Sequence, residues 1–185
     1  MKKLLIISLC WLTACSIMSP DSSLEPTLAD LEPVRLPEQS AELPSVSLEQ
    51  LSTLYNDVLL ISDDPDTRRK VQHRLADIEM YRSEDALSQQ PGKGSVFNTA
   101  IFAYQDLLKS NPHGSNNDQL LYQLSKAYDL NGEPDKALQS LEQLSREYPH
   151  SPHYAEAEFR KAESYFSAGQ YPEAEQAYAN VIAQG

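Results

Sequence analysis

Side chains able to do chemistry are few in this 185-residue chain, and most stand in poor company for catalysis. His150 and His153, three residues apart in a proline-containing loop, could share a metal, but no cysteine and no acidic residue at ligand spacing joins them. Solvated loop histidines are the simpler account. Gly92-Lys93-Gly94-Ser95 has the glycines and the lysine of a phosphate-cradling turn, yet it lacks the full spacing and no strand precedes it. A turn in which Ser95 caps the following helix explains it better. Asp63, Asp64 and Asp66 offer oxygens to calcium but miss the glycine and the closing glutamate of a calcium loop. Helix capping and attraction to an N-terminal dipole account for them. Arg68-Arg69-Lys70 opens a helix and reads as a solvated basic face, with partner contact as the second reading. His73 and His113 complete the histidines. No nucleophile and base, and no paired carboxylates, stand out as an enzyme would require. No metal, no cofactor and no small-molecule substrate is expected.

Cys15 is different, because of what precedes it. A basic pair, Lys2 and Lys3, leads into an apolar stretch from Leu4 to Leu12, closed by Leu12-Thr13-Ala14-Cys15. This is the layout of a secretory signal, too short to span a bilayer permanently. The four closing residues resemble the lipobox of bacterial lipoproteins. That resemblance implies that Cys15 is diacylated, becomes the new N-terminus and is acylated again, which exceeds the two signals a stable anchor needs. An ordinary cleaved signal followed by a chance cysteine is the bland alternative. Ser16 follows Cys15, where lipoproteins of this kind commonly carry aspartate for inner-membrane retention. The resemblance therefore implies a palmitate-bearing outer-membrane lipoprotein of a Gram-negative bacterium, facing the periplasm.

Composition bounds the rest. Removal of residues 1–14 takes two lysines and moves the formal charge from −12 to −14. Cys10 leaves with the signal and lipid consumes Cys15, so no disulfide staples the mature body despite an oxidising destination. The acidic balance argues against nucleic acid and against direct adhesion to anionic lipid; the anchor alone meets the membrane. Residues 16–46 carry five prolines, six acids against the single Arg35, and no aromatic residue. Such a segment cannot bury enough apolar surface to offset its ordering entropy, so residues 15–46 read as a disordered tether. It reaches roughly 30–35 Å as a coil and about 90 Å if stretched.

From residue 47 to 185 the pattern is helical and the class all-α. Leu48, Leu51, Leu54, Tyr55, Val58 and Leu59 share one face of a first helix that stops at Ser62 to Asp66. A long helix should follow with Val71, Leu75, Ile78 and Tyr81 inward, ended by the turn at Pro91 to Gly94. Another starts near Ser95 and carries Ala100, Ile101, Tyr104 and Leu107 before Pro112. Ala100, Ala137 and Ala174 then repeat at 37 residues. Each is followed four positions on by Tyr104, Leu141 or Tyr178, and seven on by Leu107, Leu144 or Val181. Tyr128 and Tyr165 stand nine residues before their alanines, and Gly132 and Gly169 five before. That period signals a solenoid of helix pairs.

These residues resemble the tetratricopeptide repeat. The resemblance implies an α-solenoid of antiparallel helix pairs with repeats near 67–112, 118–151 and 155–185. The small alanines allow close helix approach, the tyrosines fill the space between, and the glycines end each first helix. The third copy departs from the pattern, since Glu158 and Lys161 occupy positions the family fills with a large apolar residue and leucine. The run from Tyr148 to Ala157 is similar to repeats of envelope proteins, such as the lipoprotein of the outer-membrane β-barrel assembly machine and the division coordinator linked to Tol-Pal. Family ligands lie in a concave groove lined by first helices. Carried over position by position, this implies Gln119, Tyr122, Lys126 and Asp129, and then Glu156, Phe159, Glu163 and Phe166. Helical spacing alone leaves open whether Tyr122 and Phe159 are groove or core.

The functional expectation is a membrane-anchored, non-enzymatic adaptor that binds envelope proteins or peptide segments, in outer-membrane protein assembly, cell-wall and division coordination, or pilus or secretion assembly. The rival is a regulatory or accessory arm of an envelope hydrolase such as a peptidoglycan enzyme. The last helix, with Ala174, Tyr178, Val181 and Ile182, is expected to need a covering neighbour, from further sequence or from a partner.

Overall fold

The computed structural model describes residues 46–89 and 96–184. Among these residues seven helices follow one another without a strand: α1 (Leu48–Ile61), α2 (Pro65–Gln89), α3 (Asn98–Ser110), α4 (Asn117–Leu130), α5 (Pro134–Glu147), α6 (Tyr154–Ser167) and α7 (Tyr171–Ile182). Each packs chiefly on the helices before and after it, so the architecture is a one-dimensional stack. The starts of α4 and α6, at Asn117 and Tyr154, are 37 residues apart, as are those of α5 and α7, at Pro134 and Tyr171.

Local chemistry sets the helix ends. Ser47 and Gln50 form a reciprocal capping box at α1. The Asp64 carboxylate accepts from the Thr67 backbone N–H at 2.8 Å and from its hydroxyl at 2.6 Å. The acidic run therefore caps α2, and those two bonds to Thr67 hold the Asp64 carboxyl below its ordinary value. Gly132 and Gly169 adopt φ of +78° and +75°. At the first, Gly132 N–H donates to the Asp129 carbonyl and Glu133 N–H to the Tyr128 carbonyl; the second repeats this with Phe166 and Tyr165. This is the Schellman closure, in which a left-handed residue lets the last carbonyls find donors. A Cβ at Gly132 would meet nothing within 4 Å, so the cost of Gly132→Ala is purely conformational. It should destabilise by about 1–2 kcal/mol, read from the denaturant midpoint.

Packing follows the alanine period. Ala100, Ala137 and Ala174 are all buried, as are Tyr104, Leu107, Leu141 and Leu144. One apolar cluster runs from Ala76 and Met80 through Phe97, Ala100 and Tyr104 to Leu124, Ala127 and Ala137. A second joins Leu121, Leu141, Leu144 and Ala157. Tyr104 is fully buried, and its hydroxyl donates to Asp77 of α2 at 3.0 Å. Two further bonds bridge successive helix pairs in equivalent places. Gln105 Nε2 on α3 donates to the Tyr128 hydroxyl on α4, and the Tyr165 hydroxyl on α6 donates to Glu142 on α5. Gln105 and Glu142 are themselves 37 residues apart.

Several sequence expectations are corrected here. Leu48 and Leu54 of α1 are exposed rather than inward. On α2, Tyr81 is 61% exposed, Leu75 is half-buried, and the buried set is Val71, Ala76, Ile78, Met80 and Ser83. α2 packs on both α1 and α3, so a single-stripe projection chooses Tyr81 where the second contact takes Met80. α3 starts at Asn98, and its N-cap position, Phe97, makes no side-chain cap. The Phe97 N–H donates instead to Asn131 Oδ1 at 3.3 Å, so a residue from the far end of α4 closes α3. Ser95 lies outside the described residues. Arg68 is not a solvated cation: its guanidinium donates to the carbonyls of Leu59 and Ser62 at the end of α1, where the helix dipole favours a cation. Arg69 pairs with Asp66 at 3.0 Å.

Glu158 and Lys161, which break the repeat pattern, turn inward as a pair. The Lys161 ammonium sits 2.6 Å from Glu158, with side-chain exposures of 14% and 1%. Asn180 Nδ2 on α7 donates to the other carboxylate oxygen at 2.7 Å. Burial alone would push this carboxyl up, but hydrogen bonds from Lys161 and Asn180 outweigh it and hold the group below its ordinary value.

Candidate functional site

A groove of about 650 Å³ opens between α4, the start of α5 and α6. Its apolar surface comes mainly from Leu138 of α5 and from Phe159 of α6, which remains 45% exposed, with Ala137 and Leu141 buried beneath. Phe159 points here because α6 spends its other face on Ala157, Glu158 and Ala162, all buried. The ring meets Tyr178 edge-on, at 6.2 Å between centroids, and the Tyr178 hydroxyl donates to Glu163. Asp129, Asp135, Glu156 and Glu163 also line the groove. The sole cation among the lining residues is Arg160, bonded to Glu156 at 2.8 Å.

Of the eight groove positions expected from the sequence, Asp129, Glu156, Phe159 and Glu163 line this cavity, while Gln119, Tyr122, Lys126 and Phe166 do not. Lys126 reaches toward α2, with its ammonium 3.8 Å from Glu84. Tyr122 is half-buried against the second apolar cluster. His153 stacks on its ring at 4.9 Å and 8°, and the Arg160 guanidinium lies 5.8 Å from the ring centroid. Tyr122 is thus largely packing and Phe159 groove, and His153 is a stacking partner rather than a solvated loop residue. Phe166 is 56% exposed and meets Tyr171 edge-on at 5.5 Å. Gln119 is half-buried.

Sequence reasoning overlooked the contribution of α5. Asp135 and Leu138 come from a second helix, whereas the family pattern looks for ligands on first helices. The signal was the tight link after Gly132, which brings the start of α5 alongside the end of α4. Cys15 lies outside the described residues. No group of three or more potential metal ligands occurs among the described residues, and no described helix is long and apolar enough to cross a membrane.

The groove thus offers carboxylates and apolar side chains side by side.

Comparison with known proteins bears on the fold. A family model described as Anaphase-promoting complex, cyclosome, subunit 3 matches residues 95–181, from just before α3 to the end of α7. No curated protein sequence matches the chain. Among solved structures, the chain is similar to one described as MamA MSR-1 C2, with 17% identity and a TM-score of 0.51 over 74% of this chain and 66% of that one. Another, described as Crystal structure of MamA, is 19% identical with a TM-score of 0.46, over 75% of this chain and 78% of that one. Likeness at this identity concerns the backbone. Together with the glycine-ended first helices and the 37-residue offset between helix pairs, it identifies the fold as a TPR-like α-solenoid.

Proposed function

We propose that this chain is a lipid-anchored adaptor of the outer membrane, holding its solenoid in the periplasm and offering the groove between α4, α5 and α6 to a protein partner. The observation that carries the binding role is the half-exposed Phe159 beside Leu138 and Leu141 in a cavity of about 650 Å³. A large aromatic ring held in water by a rigid helix costs hydration free energy that a partner's side chain recovers. Carboxylates beside apolar side chains suit a peptide or helix, which brings both kinds of group at fixed spacing. Support for the address is the sequence alone: Leu12-Thr13-Ala14-Cys15 after a short apolar run, Ser16 next to it, and an acidic, proline-rich segment to residue 46. That segment would let the groove stand tens of ångströms from the bilayer. The processes such an adaptor serves are outer-membrane protein assembly, cell-wall and division coordination, or pilus or secretion assembly.

Two measurements test this. Radioactive palmitate should label the wild-type protein, and Cys15→Ser should abolish the label and remove the protein from the outer-membrane fraction. Unlabelled wild type with unchanged fractionation would end the lipoprotein proposal. Affinity capture from detergent-solubilised envelopes should recover a specific partner that Phe159→Ala loses at unchanged helicity by circular dichroism. Full recovery with Phe159→Ala would place the binding surface elsewhere.

A further inference from the structure

The charge around the groove is arranged unevenly, and its unevenness selects a class of partner. Four carboxylates line it, and two of them are already engaged: Glu156 with Arg160, and Glu163 with the Tyr178 hydroxyl. Asp129 and Asp135 have no side-chain hydrogen bond and no ion pair among the described residues. Asp135 stands in the first turn of α5, where the helix dipole favours an anion. Asp129 stands in the last turn of α4, where the same dipole opposes one. A carboxylate kept at a helix C-terminus without a cation is unfavourable for the free protein, and a cation brought from outside relieves it.

We infer that the groove's occupant is a basic amphipathic segment of another protein, which lays apolar side chains on Leu138 and Phe159 and delivers Lys or Arg to Asp129 and Asp135. This rests on the groove being the partner site proposed above. Residues 16–46 are no such segment, since they carry six acids against one arginine. A second copy carries the same net charge, −14 once residues 1–14 with their two lysines are removed, and is repelled at long range. A helix with apolar residues at i, i+3 or i+4 and i+7 and basic residues flanking that stripe satisfies both the apolar side chains and the carboxylates.

The test uses the full lipidated chain in phosphatidylcholine nanodiscs, with empty discs subtracted. Two fluorescent 18-residue peptides are titrated by anisotropy, one of leucine, phenylalanine and lysine in helical amphipathic order, the other with every lysine replaced by glutamate. The basic peptide should bind at least ten-fold more tightly than the acidic one, and its affinity should fall several-fold between about 50 and 300 mM salt, as screening of exposed charges requires. Asp129→Lys with Asp135→Lys should lose at least ten-fold for the basic peptide while the thermal midpoint stays within a few degrees. Phe159→Ala should weaken either peptide that binds. Absent binding of the basic peptide, or equal binding of the two, overturns the basic-partner inference. In the case of equal binding that Phe159→Ala abolishes, the groove itself survives. Tight basic-peptide binding untouched by either variant overturns the groove as the site, and the inference with it.

Discussion

Glu158→Ala should destabilise the protein by about 3 kcal/mol, the lower end for breaking a buried ion pair from one side. The lower end applies because Lys161, left behind, retains 14% exposure and can swing its ammonium toward water. Lys161→Ala should cost as much or more, since Glu158 is 1% exposed and has no such escape. Replacing both residues with leucine returns the site to the apolar character usual for the repeat. That double variant should be neutral or more stable than wild type, because desolvating two charges consumes most of what their attraction returns. Urea denaturation of the four proteins decides the matter: near-zero effects of both single changes would mean that the pair is solvated. Acid should act through the same group. Its carboxyl is held below the ordinary 4.5 in the folded state. The stabilisation is therefore complete above that pH and is lost as pH falls through the lowered folded value. Glu158→Gln should flatten that part of the acid-unfolding curve.

The second large effect is expected at Ala137. This residue is 5% exposed, in the first turns of α5, and belongs to the cluster that includes Leu124, Ala127 and Tyr128 of α4. Leucine there must push α4 and α5 apart or adopt a poor rotamer, at a cost of about 1–3 kcal/mol or more. The melting temperature should fall by several degrees. Ala155→Leu is the internal comparison: Ala155 is only half-buried at the start of α6 and should cost clearly less. Equal, negligible shifts would mean that Ala137 does not set the approach of the two helices.

How far sequence alone reaches is visible residue by residue. The ends at Gly132, Gly169 and Asp64 were legible, because glycine is the residue that takes positive φ without penalty, and Asp64 ahead of a helix is a capping chemistry with few rivals; the start of α3 was not. The all-helical class and the 37-residue period were legible for a similar reason, since small residues recur wherever two helices must touch. The groove was legible only in part. The family resemblance put Lys126 and Phe159 on the groove-facing sides of their helices, but it carries no information about this chain's own neighbours. Lys126 finds Glu84, 42 positions earlier in the chain, and turns to it. Tyr122 finds His153. Tyr81 was misplaced because α2 serves two neighbours at once, so its apolar residues form two narrow stripes and not one. The inward turn of Glu158 was hidden for the opposite reason: its partners are Lys161 one turn along the same helix and Asn180 on the next, and neither charge alone predicts burial.

The bridging bonds between Gln105 and Tyr128, and between Tyr165 and Glu142, also bear on how this molecule comes apart. With each helix resting mainly on its two neighbours, opening one seam need not loosen the next, and the free energy of the whole approaches a sum over seams. In the 185-residue chain α1 and α7 are, among the described residues, each held mainly from one side, so their amides should open to solvent before those of α3 to α6. The groove between α4, α5 and α6 then sits inside the slow-opening stretch. A partner seated there meets a surface that stays formed through the fraying of both ends.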